Sequence, residues 1–183
     1  MELIKQNSQS QIIKSLIVIF LGSVALAISA KVKIPFYPVP MTMQTFVVLF
    51  IGISFGYKIG LATVSLYLIE GLAGLPVFSN SPERGVGIVY FTGPTMGYLI
   101  GFLSACVLAS LVKTSDNYFI IFLRLILSVS TIYIFGVLWL GTHIGWNKPV
   151  LELGVSPFLL AEIFKITLLT ILAKKIIKLR KII

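Results

Sequence analysis

Glu162 and Lys165 stand three residues apart in SPFLLAEIFKITLLTILA, residues 156–173, an otherwise apolar stretch long enough to cross a bilayer. On a helix that spacing puts both side chains on one face. An ionisable group at membrane depth costs at least ~2.5–3.5 kcal/mol, so it turns toward a partner or a cavity and by default marks a functional path. The pair has two readings: a polar site for a ligand, or an ion pair that only fastens helix to helix.

Other polar groups gather at the same level of the chain. Thr42 and Gln44 precede an apolar run, Asn80 and Arg84 sit in a later loop, and Tyr90 and Tyr98 flank Gly93-Pro94-Thr95. Arg and Lys suit a carboxylate. Glu162, Asn80 and Gln44 suit neutral amide N–H and C=O groups. Phe78, Phe91, Tyr98 and Trp139 would pack an apolar ring, or stand as interface-belt aromatics.

Several chemistries lack their residues. Gly52-Ile-Ser-Phe-Gly56-Tyr-Lys58 has the wrong glycine spacing for a P-loop and no Ser or Thr after the lysine. No HExxH or paired His/Asp cluster offers a catalytic metal site. His143, the single histidine, reads as a solvated residue of an outer loop. Cys106, the single cysteine, lies in an apolar run and reads as a small packing residue. Glu162 reads as the lone acid within a span, which argues against a relay of several carboxylates. No cofactor is expected.

The elements that must position these residues are membrane spans. The chain has 183 residues, 57% hydrophobic and 11% charged, against about 45–50% and 25% in a soluble domain. Its apolar runs are continuous, unlike the alternating strands of an outer-membrane barrel. The reading is one all-α membrane domain over 1–183, with no cleaved leader and no soluble domain. Its net charge of +9 lies mostly at the ends and in short loops, as the positive-inside rule places it, and does not indicate nucleic-acid binding.

Six segments qualify, at about 12–30, 43–55, 59–72, 94–112, 119–141 and 157–177. The second and third are short and separated only by Gly56, Tyr57 and Lys58, so they form a tight helical hairpin or a tilted, partly re-entrant pair. Lys5, Lys14, Lys58, Lys113, Lys174, Lys175, Lys178, Arg180 and Lys181 fall at the termini or in the second and fourth loops. That excess makes both termini cytoplasmic and turns the loops at 31–42, 73–92 and 142–156 outward. Those are the long loops, and long loops commonly act as lids or binding loops. Glu162 and Lys165 then lie beneath them, in a pocket that opens outward.

Small residues mark helix contacts. Gly93, Gly97, Gly101, Ala105 and Ala109 recur every four residues and read as packing within the bundle. On the first span Gly22, Ala25 and Ser29 form a small face with Ala27 beside it. That face serves either internal packing or a separate membrane partner.

PVPMTMQTFVVLFIG, GLAGLPVF, FTGPTMGYLIGF, GVLWL and PFLLAEIFK occur in this order over about residues 30–172. Together they resemble the BioY family, the biotin-specific substrate-binding (S) components of energy-coupling factor (ECF) transporters. The resemblance implies a six-helix ECF S-component-like bundle with an outward-facing pocket covered by its first and third loops. It implies biotin as ligand and no enzymatic activity. It further implies a transmembrane coupling subunit, met by the first helix's small face, and two cytosolic ATPase subunits. The pocket residues it implies are Glu162, Lys165, Arg84 and Asn80, and Gln44 and Tyr98 join them from the polar and aromatic groups that gather at the same level. The family usually has Asp where this chain has Glu162, and Glu83 is an unusual neighbour for Arg84. The acid would accept from a ureido N–H, and the lysine would pair with the tail carboxylate or hold the acid ionised. Two other readings remain beside it: an S component for a related vitamin or biotin precursor, and an integral-membrane enzyme or ligand-free subunit.

Overall fold

A computed structural model describes residues 2–182, with side chains from residue 9 to 181; the side chain of Lys5, counted above among the basic residues, lies outside the described residues. The first helix, α1 (Glu2–Lys31), is followed by a small antiparallel ladder, β1 (Lys33–Ile34) with β2 (Met41–Thr42). Lys33 pairs with Thr42 and Ile34 with Met41. The ladder encloses Pro35, Pro38 and Pro40, so the proline-rich stretch is a compact two-stranded loop rather than open coil.

Then come α2 (Gln44–Leu72), the short α3 (Ile88–Phe91), α4 (Met96–Ala109) and α5 (Tyr118–Ile144). The chain closes with α6 (Val150–Gly154), a 3-10 turn, α7 (Leu159–Ile176) and a final 3-10 segment, Ile177–Ile182. Four of the helical stretches are long and apolar enough to cross a membrane.

α2 is the hairpin that the sequence predicts. Gly56 adopts φ 78° and ψ 178°, open to glycine and strained for other residues, and breaks the helix into two arms. Gln44 Nε2 donates to Tyr67 Oη at 2.7 Å. In one straight helix those residues would lie about 35 Å apart, so the arms fold back on each other. With α1, α4, α5 and α7 the two arms make six membrane segments.

α4 is shorter than the sequence suggests. Gly93-Pro94-Thr95 remains a turn, and α4 is 14 residues long, about 21 Å at 1.5 Å per residue. It can be short because it is sandwiched between α2 and α5. A Cβ added at Gly101 would lie 2.6 Å from Ile132 Cα on α5, so glycine sets that close approach. Cys106 is fully buried against Gly60 and is a packing residue. His143 belongs to the last turn of α5, not to a loop, and is exposed.

The small face of α1 is divided between two surroundings. Gly22 faces Thr63 and Ile51 on α2, and Ser29 is buried. Half of the small face is therefore used inside the bundle, because only a residue without a bulky side chain fits against the second arm of α2. The outward surface of α1 is large and apolar: Ile13, Leu16, Ile17, Phe20, Leu21, Val24 and Ile28. Ala25 and Ala27 are half-buried.

Candidate functional site

The first turn of α7 carries Glu162, and Lys165 follows one turn later on the same face. Both are buried, at 5% and 4% exposure. Lys165 Nζ donates to Glu162 Oε1 at 2.8 Å, Thr45 Oγ1 at 2.9 Å and the Thr42 carbonyl at 2.7 Å. Thr45 Oγ1 in turn donates to Glu162 Oε1 at 2.9 Å. Three bonds occupy all three ammonium protons. Lys165 is thus spent on holding one carboxylate oxygen and the start of α2. Glu162 Oε2 is buried and has no hydrogen-bond partner among the described residues.

That carboxylate forms part of the wall of a small, half-open cavity. Val39, Thr42, Gln44 and Thr45 close one side; Tyr90, Tyr98, Phe102, Tyr133 and Phe158 supply rings. Tyr98 Oη donates to the Gly154 carbonyl at 2.9 Å, which fixes its ring and docks α6. Gln44 uses Nε2 on Tyr67 Oη, and Tyr67 Oη donates onward to the Val77 carbonyl at 3.2 Å.

Of the residues singled out in the sequence, Gln44, Tyr98 and Glu162 meet in this cavity, with Lys165 directly behind them. Asn80 and Arg84 do not line it. They line an adjoining crevice with Gly93 and Pro94 that shares Tyr90 and Thr95 with the main cavity. Their polar groups are turned to the loops. Asn80 Oδ1 accepts from Lys33 Nζ at 3.0 Å, and Arg84 donates to the Pro38 carbonyl at 2.7 Å with its guanidinium over the Tyr37 ring.

The two loops, residues 31–42 and 73–92, are therefore tied in both directions. Lys31 donates to the Phe78 and Ser81 carbonyls, each at 2.7 Å, and Lys33 to the Ser79 carbonyl at 2.6 Å. Arg84 returns the tie from the later loop to the earlier one.

Among the aromatics, Phe78, Phe91 and Trp139 fall outside the cavity. Phe78 stacks on Tyr90 at 4.6 Å between centroids and meets Phe91 edge-on, so both brace the wall from behind. Trp139 Nε1 donates to the Gly93 carbonyl at 2.8 Å and pins the turn before α4. Sequence reasoning missed Thr45, Tyr133 and Phe158. Thr45 was findable: it lies one turn into the same PVPMTMQT stretch. Glu162 is also not the lone acid of a span. Glu70, near the end of the second arm of α2, accepts from Ser23 Oγ at 3.0 Å and ties α1 to that arm.

Taken together, a multi-pass helical bundle with a loop-covered, ring-lined cavity and one fixed carboxylate is a membrane protein built to hold a small molecule with polar N–H groups. Among the described residues no cluster could hold a metal ion. The family model described as the BioY family matches residues 4–182, and the chain belongs to that family.

A probable biotin transporter BioY of Pyrococcus horikoshii is 33% identical over 162 residues, covering 88% of this chain and 94% of the relative. A biotin transporter BioY of Thermotoga maritima is 31% identical over 155 residues, covering 84% and 90%. The crystal structure of the S-component for biotin from an ECF-type ABC transporter superposes with a TM-score of 0.77 at 26% identity, covering 92% of this chain and 93% of that one.

Proposed function

We propose that this protein binds biotin and serves as the substrate-binding component of an ECF transporter, without modifying its ligand. The observation that carries the reading is Glu162. Its Oε1 is fixed by Lys165 and Thr45, while Oε2 is a buried acceptor without a partner in a cavity lined by rings. A ureido N–H matches that acceptor, and the rings match a fused apolar bicycle. Lys165 acts by keeping the acid charged and aimed. The ligand's tail carboxylate reaches toward the crevice of Asn80 and Arg84.

Energy for uptake comes from partner subunits: a transmembrane coupling subunit that docks on α1 around Ala25 and Ala27, and two cytosolic ATPases behind it. Both termini are cytoplasmic, with the tied loops outside. On intact cells, in a Cys106→Ala background, an impermeant thiol reagent should label Asn147→Cys and spare Lys58→Cys; the reverse pattern would invert the orientation.

Equilibrium binding of labelled biotin to the purified protein, without ATP, is the direct test. Saturable binding with unchanged biotin recovered by mass spectrometry is the expected result. A chemically altered product would instead favour a membrane enzyme, and no binding a ligand-free subunit.

A further inference from the structure

The end of the molecule that carries the C-terminus holds a second groove, remote from the ligand cavity. It lies between the last turn of α4, the start of α5 and the final 3-10 segment. Lys113, Arg124 and Arg180 supply its polar floor, and Leu108, Leu111 and Leu127 its walls.

Each cation has a distinct state. Arg180 is held rigidly: its Nε donates to the Ile53 carbonyl at 2.8 Å and its Nη2 to the Ser110 carbonyl at 2.7 Å. Arg124 stands six residues into α5, about 9 Å along the helix, in the midst of exposed Leu123, Ile126 and Leu127. An arginine at that depth is a candidate site by default. It donates to the Leu111 carbonyl and pairs with Asp116 at 3.0 Å, yet its side chain stays 32% exposed. Lys113 is exposed and its ammonium makes no hydrogen bond or ion pair among the described residues. Among the described residues Asp116 is the one carboxylate set against these three cations, which leaves the groove a surplus of positive charge.

The walls decide what that charge meets. Leu111 and Leu127 are 55% and 59% exposed and belong to the bilayer-facing side of the bundle. A soluble anion would neutralise the floor and leave both leucines uncovered. An acidic peptide would likewise have no use for alkyl walls at membrane depth. A lipid headgroup with the first methylenes of its chains covers both.

We propose that this groove seats the phosphodiester of an anionic membrane phospholipid, with its acyl chains along Leu111 and Leu127. The floor is prepaid in order, since Arg180 and Arg124 are already fixed by carbonyls and Asp116. Lys113 closes over the phosphate from the α4–α5 connection.

The test uses the purified full-length protein in detergent micelles. It is titrated with phosphatidylglycerol, phosphatidylcholine of the same chains, or glycerol phosphate. Retained lipid is read by native mass spectrometry and the melting midpoint alongside. Phosphatidylglycerol should be retained and raise the midpoint, while the other two do neither. Lys113→Glu should cut retention at least about fivefold, the scale expected for basic residues near a lipid surface, and Leu127→Trp should do so by filling the groove. Lys175→Glu, the same charge change on an exposed lysine outside the groove, should leave retention as in the parent.

Equal losses from Lys113→Glu and Lys175→Glu would mean diffuse surface attraction and overturn the site. Glycerol phosphate matching the full lipid would make it a soluble-anion site, and phosphatidylcholine matching phosphatidylglycerol would remove the charge argument. The three-ligand comparison on the parent protein stands even if a variant does not fold.

Discussion

At the end of the bundle that carries the cavity, Lys31 and Arg84 run from one loop to the backbone carbonyls of another. At the opposite end, Arg180 binds the carbonyls on which the first arm of α2 and α4 finish. The donors and acceptors are alike, but the acceptors' circumstances differ. Carbonyls of the last helical turn have no intrahelical partner, so Arg180 satisfies groups that need it permanently. Carbonyls of the two tied loops lie where water can serve them instead. One set of bonds completes the fold, and the other ties two loops over the cavity. Beneath those loops sits the buried Glu162 Oε2, which has no hydrogen-bond partner among the described residues.

The largest effect should come from the site itself. Lys165→Ala leaves Glu162 buried without its cation, a penalty of roughly 3–5 kcal/mol if burial is complete. Titration calorimetry should show biotin affinity lost by a factor of ~100 or more, with apo stability falling much less because water enters the open cavity. Equal losses in both would make the pair a clamp and erase the contrast between the two ends.

Arg180→Ala should do the converse. Losing a charged donor to several carbonyls costs about 1.5–3 kcal/mol, read as a lower unfolding midpoint, while biotin affinity stays near the parent's. A drop in affinity of the same size would show that the two ends are mechanically one unit.

Lys31→Ala combined with Arg84→Ala should speed biotin dissociation about tenfold by freeing the cover. Its effect on the midpoint should be small, since both side chains are largely in solvent. An unchanged off-rate in stopped-flow measurements would mean that the loops do not limit release. Glu162→Asp is the mildest change. It withdraws the carboxylate by a methylene, about 1 Å or more, and should keep affinity within about tenfold.

Parts of this were legible in the sequence because they break a pattern. Two ionisable residues in an apolar run cannot be background, so Glu162 and Lys165 stood out. Gly56 between two short apolar stretches announced the hairpin. Tyr133 and Phe158 break nothing, since rings are common in spanning helices, and only packing reveals which ones face the cavity. The four residues of the β1–β2 ladder are too few to carry an alternating pattern. Asn80 and Arg84 were read as direct cavity residues because type and loop position do not say which carbonyl a long side chain will find. The small face of α1 showed the same limit: Gly22 and Ala25 look alike in sequence, and only the position of Thr63 separates them.

The hairpin at Gly56 also gives the molecule an uneven hydrophobic height. Its second arm, residues 57–72, spans about 24 Å, yet carries exposed Leu61, Ile69 and Leu72. α5, with 27 residues, reaches about 40 Å on the same scale, against a hydrocarbon layer of about 30 Å. A short flank is met by thinned lipid or by snorkelling of flanking residues such as Lys58, and a long one by tilt. The elastic strain of the bilayer is then concentrated on one side of the protein.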